Sequence, residues 1–216
     1  MTRTTIAVLA STLIATPALA GVANSASYGW DDGSASILGG FNNEGMFYAN
    51  SSDTVFSGTG SLFLQEVDLG GTPQTFVAHV TGLTDGDTVF GSFMAWDDSF
   101  GASSSLRIWG SYTDDASDIT SYAGSAGGNS TYSGAEGGDL WQELSHTWTF
   151  DSNGGERDRL AIQVRMYANS GGDPGLYVDD LYVETSSETA VINVAPAPGA
   201  LALLGLAGIA GRRRRG

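Results

Sequence analysis

The 216-residue sequence contains no cysteine and no lysine, and these two absences exclude several classes of protein. Without cysteine there is neither a disulfide scaffold nor a thiolate metal site, so a folded domain must depend on its apolar core. Arginine supplies every fully basic side chain, and five of the nine arginines lie at positions 3 and 212–215. The central chain therefore sets four arginines against 24 acidic residues, a formal charge of about −20, which repels nucleic acid.

The familiar catalytic motifs are missing as well. The sequence has no Gly-x-Ser-x-Gly, His-Glu-x-x-His, phosphate-loop or dinucleotide motif. Its two histidines, His79 and His146, stand in separate segments with strand-like alternation. A pair of carboxylates can hydrolyse glycans, but 24 acidic residues do not identify one pair. The sequence therefore predicts a protein that is not an enzyme, with a glycan-active hydrolase as the less favoured alternative.

The N-terminus has the three parts of a secretory signal peptide. Arg3 is followed by an apolar run over 6–15, and Ala18-Leu19-Ala20 provides the small residues of a cleavage site. The apolar run is shorter than the roughly 20 residues that span a bilayer, which disfavours an uncleaved anchor. We therefore expect residues 1–20 to be a signal peptide that directs the chain to Sec-type export machinery, with cleavage after Ala20.

The C-terminus combines a proline break, an apolar segment and a block of cations. Pro196 and Pro198 precede the apolar residues 199–211, and Arg212, Arg213, Arg214 and Arg215 follow them. The apolar segment is about 20 Å long as a helix, against about 30 Å of hydrocarbon. Its four glycines weaken a helix further. The segment is therefore predicted to be a short hydrophobic helix that holds the chain at the inner membrane transiently, the alternative being a chance apolar tail.

This tail resembles the PEP-CTERM sorting signals of bacterial exported proteins, although Ala197 stands where that motif has Glu. The resemblance implies recognition by an exosortase-like membrane protease near Pro196 and Pro198. It also implies delivery of the mature chain to the cell surface or an exopolysaccharide layer. Residues 191–216 are accordingly interpreted as a linker and sorting tail.

Alternating apolar and polar residues predict β-strands between the two targeting segments, because successive side chains of a strand point to opposite faces. Asp-Gly and Gly-Gly turns separate the strands. An all-β fold, an antiparallel β-sandwich over residues 21–190, follows from strands that each have one apolar face. The predicted strands are 61–66, 75–80, 88–96, 105–112, 142–150, 159–167 and 176–183.

Four segments, 55–64, 80–90, 141–150 and 176–183, resemble in order the galactose-binding-like jelly roll of carbohydrate-binding modules, particularly families 4, 9 and 22. The resemblance implies a jelly-roll sandwich that binds polysaccharide. A single fold hosts many functions, so the function must be argued from particular residues.

Two of the predicted strands, 105–112 and 159–167, contribute residues to one candidate ligand-binding face. If Ile162 and Val164 face the core, then Gln163, Arg165 and Tyr167 face outward, and the same alternation turns Arg107 and Trp109 outward. An aromatic ring that stacks on a sugar, beside polar groups that bind hydroxyls, is what glycan recognition requires. The alternative is that the arginines only neutralise an acidic surface and Trp109 covers a core edge. Trp96 is a weaker candidate, because its position matches that of Phe90, which is predicted to face the core.

Pairs of acidic residues raise the question of a calcium site, since calcium prefers several oxygen ligands. They occur at 31–32, 97–98, 114–115 and 179–180. The resemblance to carbohydrate-binding modules implies a structural calcium where the first and last strands meet, with Glu44 and Asp180 as the nearest matches. The alternative is that these acids are solvated turn residues.

The sequence thus predicts an exported, non-catalytic sandwich that binds polysaccharide or the extracellular matrix. A structural matrix or coat protein that associates with copies of itself, without a defined ligand, is the second interpretation.

Overall fold

The computed structural model describes residues 22–41, 46–66, 72–97, 105–115, 117–132, 141–167 and 175–194. The predicted signal peptide and residues 195–216 of the predicted linker and sorting tail lie outside these residues, including Ala18, Ala20, Pro196, Pro198 and Arg212, Arg213, Arg214 and Arg215. Within the described residues, no helix has the length and apolar character needed to cross a membrane.

The described residues form twelve strands. These are β1 Asn24–Tyr28, β2 Gly39–Phe41, β3 Met46–Ser51, β4 Ser61–Glu66, β5 Gln74–Thr81, β6 Thr88–Asp97, β7 Ser105–Thr113, β8 Ser125–Gly127, β9 Gln142–Thr149, β10 Arg159–Tyr167, β11 Gly175–Thr185 and β12 Val191–Val194. All seven strands predicted from alternation are present. The last strand begins after residue 190, the predicted end of the domain, and pairs with β5.

The strands form two antiparallel sheets, which confirms the predicted sandwich. The first sheet has the order β3-β4-β11-β6-β9, with β1 also paired to β11. The second has the order β12-β5-β10-β7-β8, with β2 also paired to β5. Apart from the consecutive pairs β3-β4 and β7-β8, neighbours in each sheet come from distant parts of the sequence, as in a jelly roll.

The core lies between the two sheets and is built from alternate residues of the central strands. Leu62, Leu64, Phe93, Leu144, Leu160, Ile162, Val164, Leu176, Val178, Leu181 and Val183 are fully buried in it. Burying each large side chain contributes roughly 1.5–3 kcal/mol, which a chain without disulfides needs. On β11, Val178 faces the core, whereas Tyr177 is half-buried on the outer face.

The structure corrects the predicted orientation of β6. Phe90 and Trp96 do share a face, but it is the outer face, and Val89, Phe93 and Ala95 are buried instead. Both faces of this strand carry apolar residues, so alternation alone did not distinguish inside from outside. The larger rings lie outside because aromatic residues of the neighbouring strands pack against them.

Strand β5 departs from simple alternation, which would place Phe76 on one face with Ala78 and Val80. The pairing of β5 with β10 shifts register between Ile162 and Gln163, so that Ile162 faces Ala78 whereas Gln163 faces Phe76. This β-bulge adds Val77 to the core and turns Phe76 to the outer face of the second sheet. A bulge of this kind breaks the alternation on which the prediction depended.

Candidate functional site

The predicted ligand-face residues of β7 and β10 lie on adjacent strands in matching register. Arg165 pairs with Arg107, Gln163 with Trp109, and Tyr167 with Ser105. Directly opposite residues of an antiparallel pair point to the same face, so two distant segments contribute to one surface. The predicted grouping of Arg107, Trp109, Gln163 and Arg165 on the outer face of the second sheet is therefore present.

Three of these residues, Trp109, Gln163 and Arg165, line a cleft of about 320 Å³ on that face. Strand β2 and the segment 120–125 form its walls. The complete described lining is Phe41, Gln74, Phe76, Trp109, Ser111, Thr120, Ser121, Tyr122, Ser125, Gln163 and Arg165. This is a concave site with an aromatic surface and a few convergent polar groups, as small-ligand sites generally have.

Trp109 is held in the cleft by contacts on its edge and on its ring. Its Nε1–H donates a hydrogen bond of 3.0 Å to Ser125 Oγ. The guanidinium carbon of Arg165 lies 4.6 Å from the centre of the indole ring, and that of Arg107 lies 5.9 Å away. A cation over an indole contributes about 0.5–2 kcal/mol, depending on exposure, so the ring is oriented before any ligand binds.

Gln163 points away from the core, as predicted, but it is not exposed. Only 1% of its surface is accessible, and its Nε2 donates a hydrogen bond of 2.7 Å to Ser111 Oγ. Its Oε1 is buried and has no hydrogen-bond partner among the described residues. A buried acceptor without a donor costs roughly 1–3 kcal/mol, and this one belongs to a side chain that lines the cleft.

Several cleft residues were not among the predicted site residues. Phe76 is turned into the cleft by the bulge in β5. Phe41 ends the three-residue strand β2, and Tyr122, which is 67% exposed, precedes β8. Neither residue lies in an alternating segment, so no sequence pattern marked them. Side-chain details of Tyr167 lie outside the described residues, and its role stays a prediction.

Trp96, the weaker candidate, belongs to a different surface. It lies on the outer face of the first sheet, 5.0 Å from Tyr177 between ring centres. It does not line the cleft.

Two acidic residues, Asp179 in β11 and Asp31 shortly after β1, accept hydrogen bonds from backbone N–H groups. Asp179 Oδ2 accepts the N–H groups of Phe56 and Ser57, at 3.0 and 3.1 Å. Asp31 Oδ1 accepts those of Thr59 and Gly60. Burial raises the pKa of the Asp179 carboxyl, with the nearby Asp180 acting in the same direction. The carboxylates of Asp179 and Asp31 therefore hold residues 56–60, in the segment between β3 and β4, against the end of the sandwich.

The predicted calcium ligands are only partly described. Asp180 is exposed, has a positive φ of 47°, and accepts a hydrogen bond of 2.7 Å from the Ser57 hydroxyl. Glu44 lies outside the described residues. The part of the chain that is described contains no cluster of three or more metal-binding side chains. A calcium ion held by Glu44 and Asp180 stays a prediction.

Comparison with known proteins bears on the fold. No protein-family model matches the sequence, and no curated protein is similar to it. The structure is similar to a tandem of family 22 carbohydrate-binding modules from Paenibacillus barcinonensis, with a TM-score of 0.51 and 13% identity, over 76% of this chain and 46% of that one.

Two single modules give similar values. A family 22 xylan-binding domain from the same organism has a TM-score of 0.49 and 12% identity, over 77% of this chain and 97% of that one. A C-terminal family 22 module of Clostridium thermocellum has a TM-score of 0.48 and 14% identity, over 80% and 99%. Because the sequence identities are this low, the comparison supports only the sandwich fold, and it does so through the tandem, whose TM-score exceeds 0.5.

Proposed function

We propose that this chain is an exported, non-catalytic β-sandwich that binds polysaccharide in the cleft of the second sheet. The observation that carries the proposal is the meeting of Trp109, Gln163 and Arg165 in one cleft. The indole offers an oriented aromatic surface for the C–H face of a sugar ring. Gln163 Oε1 lacks a partner and would accept a sugar hydroxyl after a small shift of the side chain, and Arg165 lies over the indole.

The composition of the cleft favours binding over hydrolysis. Its described lining contains no aspartate, glutamate or histidine. Glycoside hydrolysis generally needs two carboxyl groups placed about 5–10 Å apart across the scissile bond. The lining instead consists of aromatic, hydroxyl, amide and guanidinium groups, which recognise a sugar without cleaving it.

Titration of the full chain with soluble neutral glycans tests this proposal, with xylan as the first probe because a module of similar fold is described as xylan-binding. Trp109→Ala removes the stacking surface, and we expect it to weaken binding by about tenfold, or 1.4 kcal/mol. Trp109→Phe retains a ring and should lose less affinity. Val191→Ala, which changes an exposed apolar residue outside the cleft lining, is the control and should bind normally. Unchanged affinity in folded Trp109→Ala would refute the cleft as the binding site.

We further propose export with transient membrane attachment, followed by release to the cell surface or extracellular matrix. The support is the order of the targeting features in the sequence, from Ala18 and Ala20 at one end to Pro196 and Pro198 at the other. The intact mass of the protein recovered from the native cell surface tests both processing steps. We expect loss of residues 1–20 and a second cut near Pro198 by an exosortase-like protease. A full-length mass inside the cell would contradict the proposal.

A further inference from the structure

Six aromatic rings form a continuous line across the outer face of the first sheet, on the opposite side of the sandwich from the cleft. Successive ring centres are 5.0–6.4 Å apart. The aromatic strip consists, in spatial order, of Phe47, Phe63, Tyr177, Trp96, Trp141 and Phe56.

The strip follows from strand register. Phe63 pairs directly with Tyr177, and Tyr177 pairs with Trp96. Trp141 directly precedes Gln142, which pairs with Ala95, so the same register carried one residue further brings Trp141 opposite Trp96. The strip thus crosses five strands at right angles to them, and with strands about 4.8 Å apart it is roughly 19 Å long. A row of this length could contact several sugar rings of an extended polysaccharide chain.

The rings of the strip are not required to fill the core. The core is filled instead by the alternate residues of the same strands, including Leu62, Leu64, Val178 and Ala95. At the two ends of the strip, Phe47 and Phe56 are 50% and 45% exposed. Contiguous exposed aromatic surface on a soluble domain generally marks an interaction site.

The four central rings of the strip, Phe63, Tyr177, Trp96 and Trp141, are half-buried, so part of each ring remains accessible. The planes of neighbouring rings meet at 33–64°, so none of the five contacts is a parallel stack. In an edge-to-face or tilted contact, one ring covers at most one face of its neighbour. Aromatic faces that point out of the sheet suit flat apolar surfaces such as those of sugar rings.

The charge distribution favours a neutral occupant. The strands of the first sheet carry no arginine or lysine, whereas Glu143 and Glu184 pair with the outward residues Met94 and Phe90 of β6. A second copy of this acidic domain, a nucleic acid or an anionic membrane would each be repelled by this face. An uncharged polysaccharide would not be repelled, and its contact with the rings needs no opposite charge.

We propose that the aromatic strip is a second binding platform, which takes a neutral polysaccharide chain on the face opposite the cleft. One domain with two such faces bridges two glycan chains and so acts as a cross-link in a matrix. The bridging rests on the proposed function of the cleft, whereas binding by the strip does not.

Co-sedimentation of the full chain with insoluble xylan and with microcrystalline cellulose tests the platform. In a Trp109→Ala background, which weakens cleft binding about tenfold, we expect the bound fraction to fall at least tenfold further when Trp96→Ala and Trp141→Ala are added. The matched pair Trp96→Phe and Trp141→Phe keeps the rings and should retain most of the binding. Phe47→Ala, which truncates a half-exposed side chain at the end of the strip, provides a variant with little risk to folding and should weaken binding several-fold.

Bridging is measured by the capture of labelled soluble xylan on insoluble xylan that already carries the protein. Wild type should capture it, and loss of either the cleft or the strip should reduce capture at least tenfold. Folded strip variants that bind and bridge like wild type would refute the platform and leave the cleft proposal intact. If Trp109→Ala binds and bridges like wild type, the cleft is not a glycan-binding site. The proposal for the strip would then depend on the strip variants alone. Wild type that binds neither solid would overturn both.

Self-association is the remaining outcome that would refute the platform. If the strip instead joined copies of the chain, its variants would abolish a concentration-dependent oligomer in analytical ultracentrifugation and leave glycan binding unchanged. Added salt would strengthen that oligomer by screening the repulsion between acidic domains, whereas glycan binding by the strip should be nearly independent of salt.

Discussion

At the scale of single residues, the cleft depends on a buried amide that the free protein does not fully satisfy. Gln163 Nε2 is bonded to Ser111, but its Oε1 is buried with no partner among the described residues. Such an atom destabilises the free protein, and a ligand hydroxyl that bonds to it removes that cost. Gln163 is therefore expected to favour binding at some expense of stability.

Replacing Gln163 with leucine separates these two effects. Gln163→Leu removes the unsatisfied acceptor and keeps a similar volume, but it also removes the hydrogen bond to Ser111 Oγ. These two effects oppose each other, so the free energy of unfolding should change by no more than about 1 kcal/mol. Affinity for glycan should fall about tenfold. Urea denaturation and glycan titration measure the two quantities, with Gln142→Leu on β9 as a matched control outside the cleft. A loss of about 2 kcal/mol in stability with unchanged affinity would show that the amide is structural.

At the scale of elements, alternation predicted the long strands and the side-chain directions of the regular ones. Arg107, Trp109, Gln163 and Arg165 lie on one face because β7 and β10 pair without interruption over nine residues. The orientation of β6 was not predictable in the same way, since both of its faces are apolar. The bulge in β5, which turns Phe76 into the cleft, leaves no mark in the sequence pattern.

The short strands could not be predicted from alternation, for a different reason. β2 and β8 have three residues each and contain glycine, so they show no period. They nevertheless help to make the cleft, because β2 pairs with β5 and β8 pairs with β7. Phe41 of β2 and Ser125 of β8 line the cleft together with Gln163, and the sequence pattern marks neither of them. The sequence therefore predicted the direction of the Gln163 side chain and not its burial.

At the scale of the whole molecule, the two outer faces of the sandwich differ in charge. Arg107, Arg159 and Arg165 lie on strands of the second sheet, and Arg157 lies two residues before β10. These are the four arginines of the central chain, and the first sheet has none. The cleft therefore combines cations with an indole, whereas the aromatic strip lies on an acidic face. Two surfaces of different chemistry on opposite sides suit a domain that joins separate chains.

The five tryptophans allow the account to be tested in one spectrum, because each indole N–H gives its own NMR signal. Trp109 lies in the cleft, Trp96 and Trp141 lie in the strip, and Trp30 is fully buried with its Nε1–H bonded to Ser36 O. Titration of the full chain with a soluble xylo-oligosaccharide should shift the Trp109 signal, whose N–H is bonded to Ser125, in a saturable manner. The Trp30 signal should stay in place. A ligand that binds at saturation without moving the Trp109 signal would contradict the assignment of the cleft as the glycan-binding site.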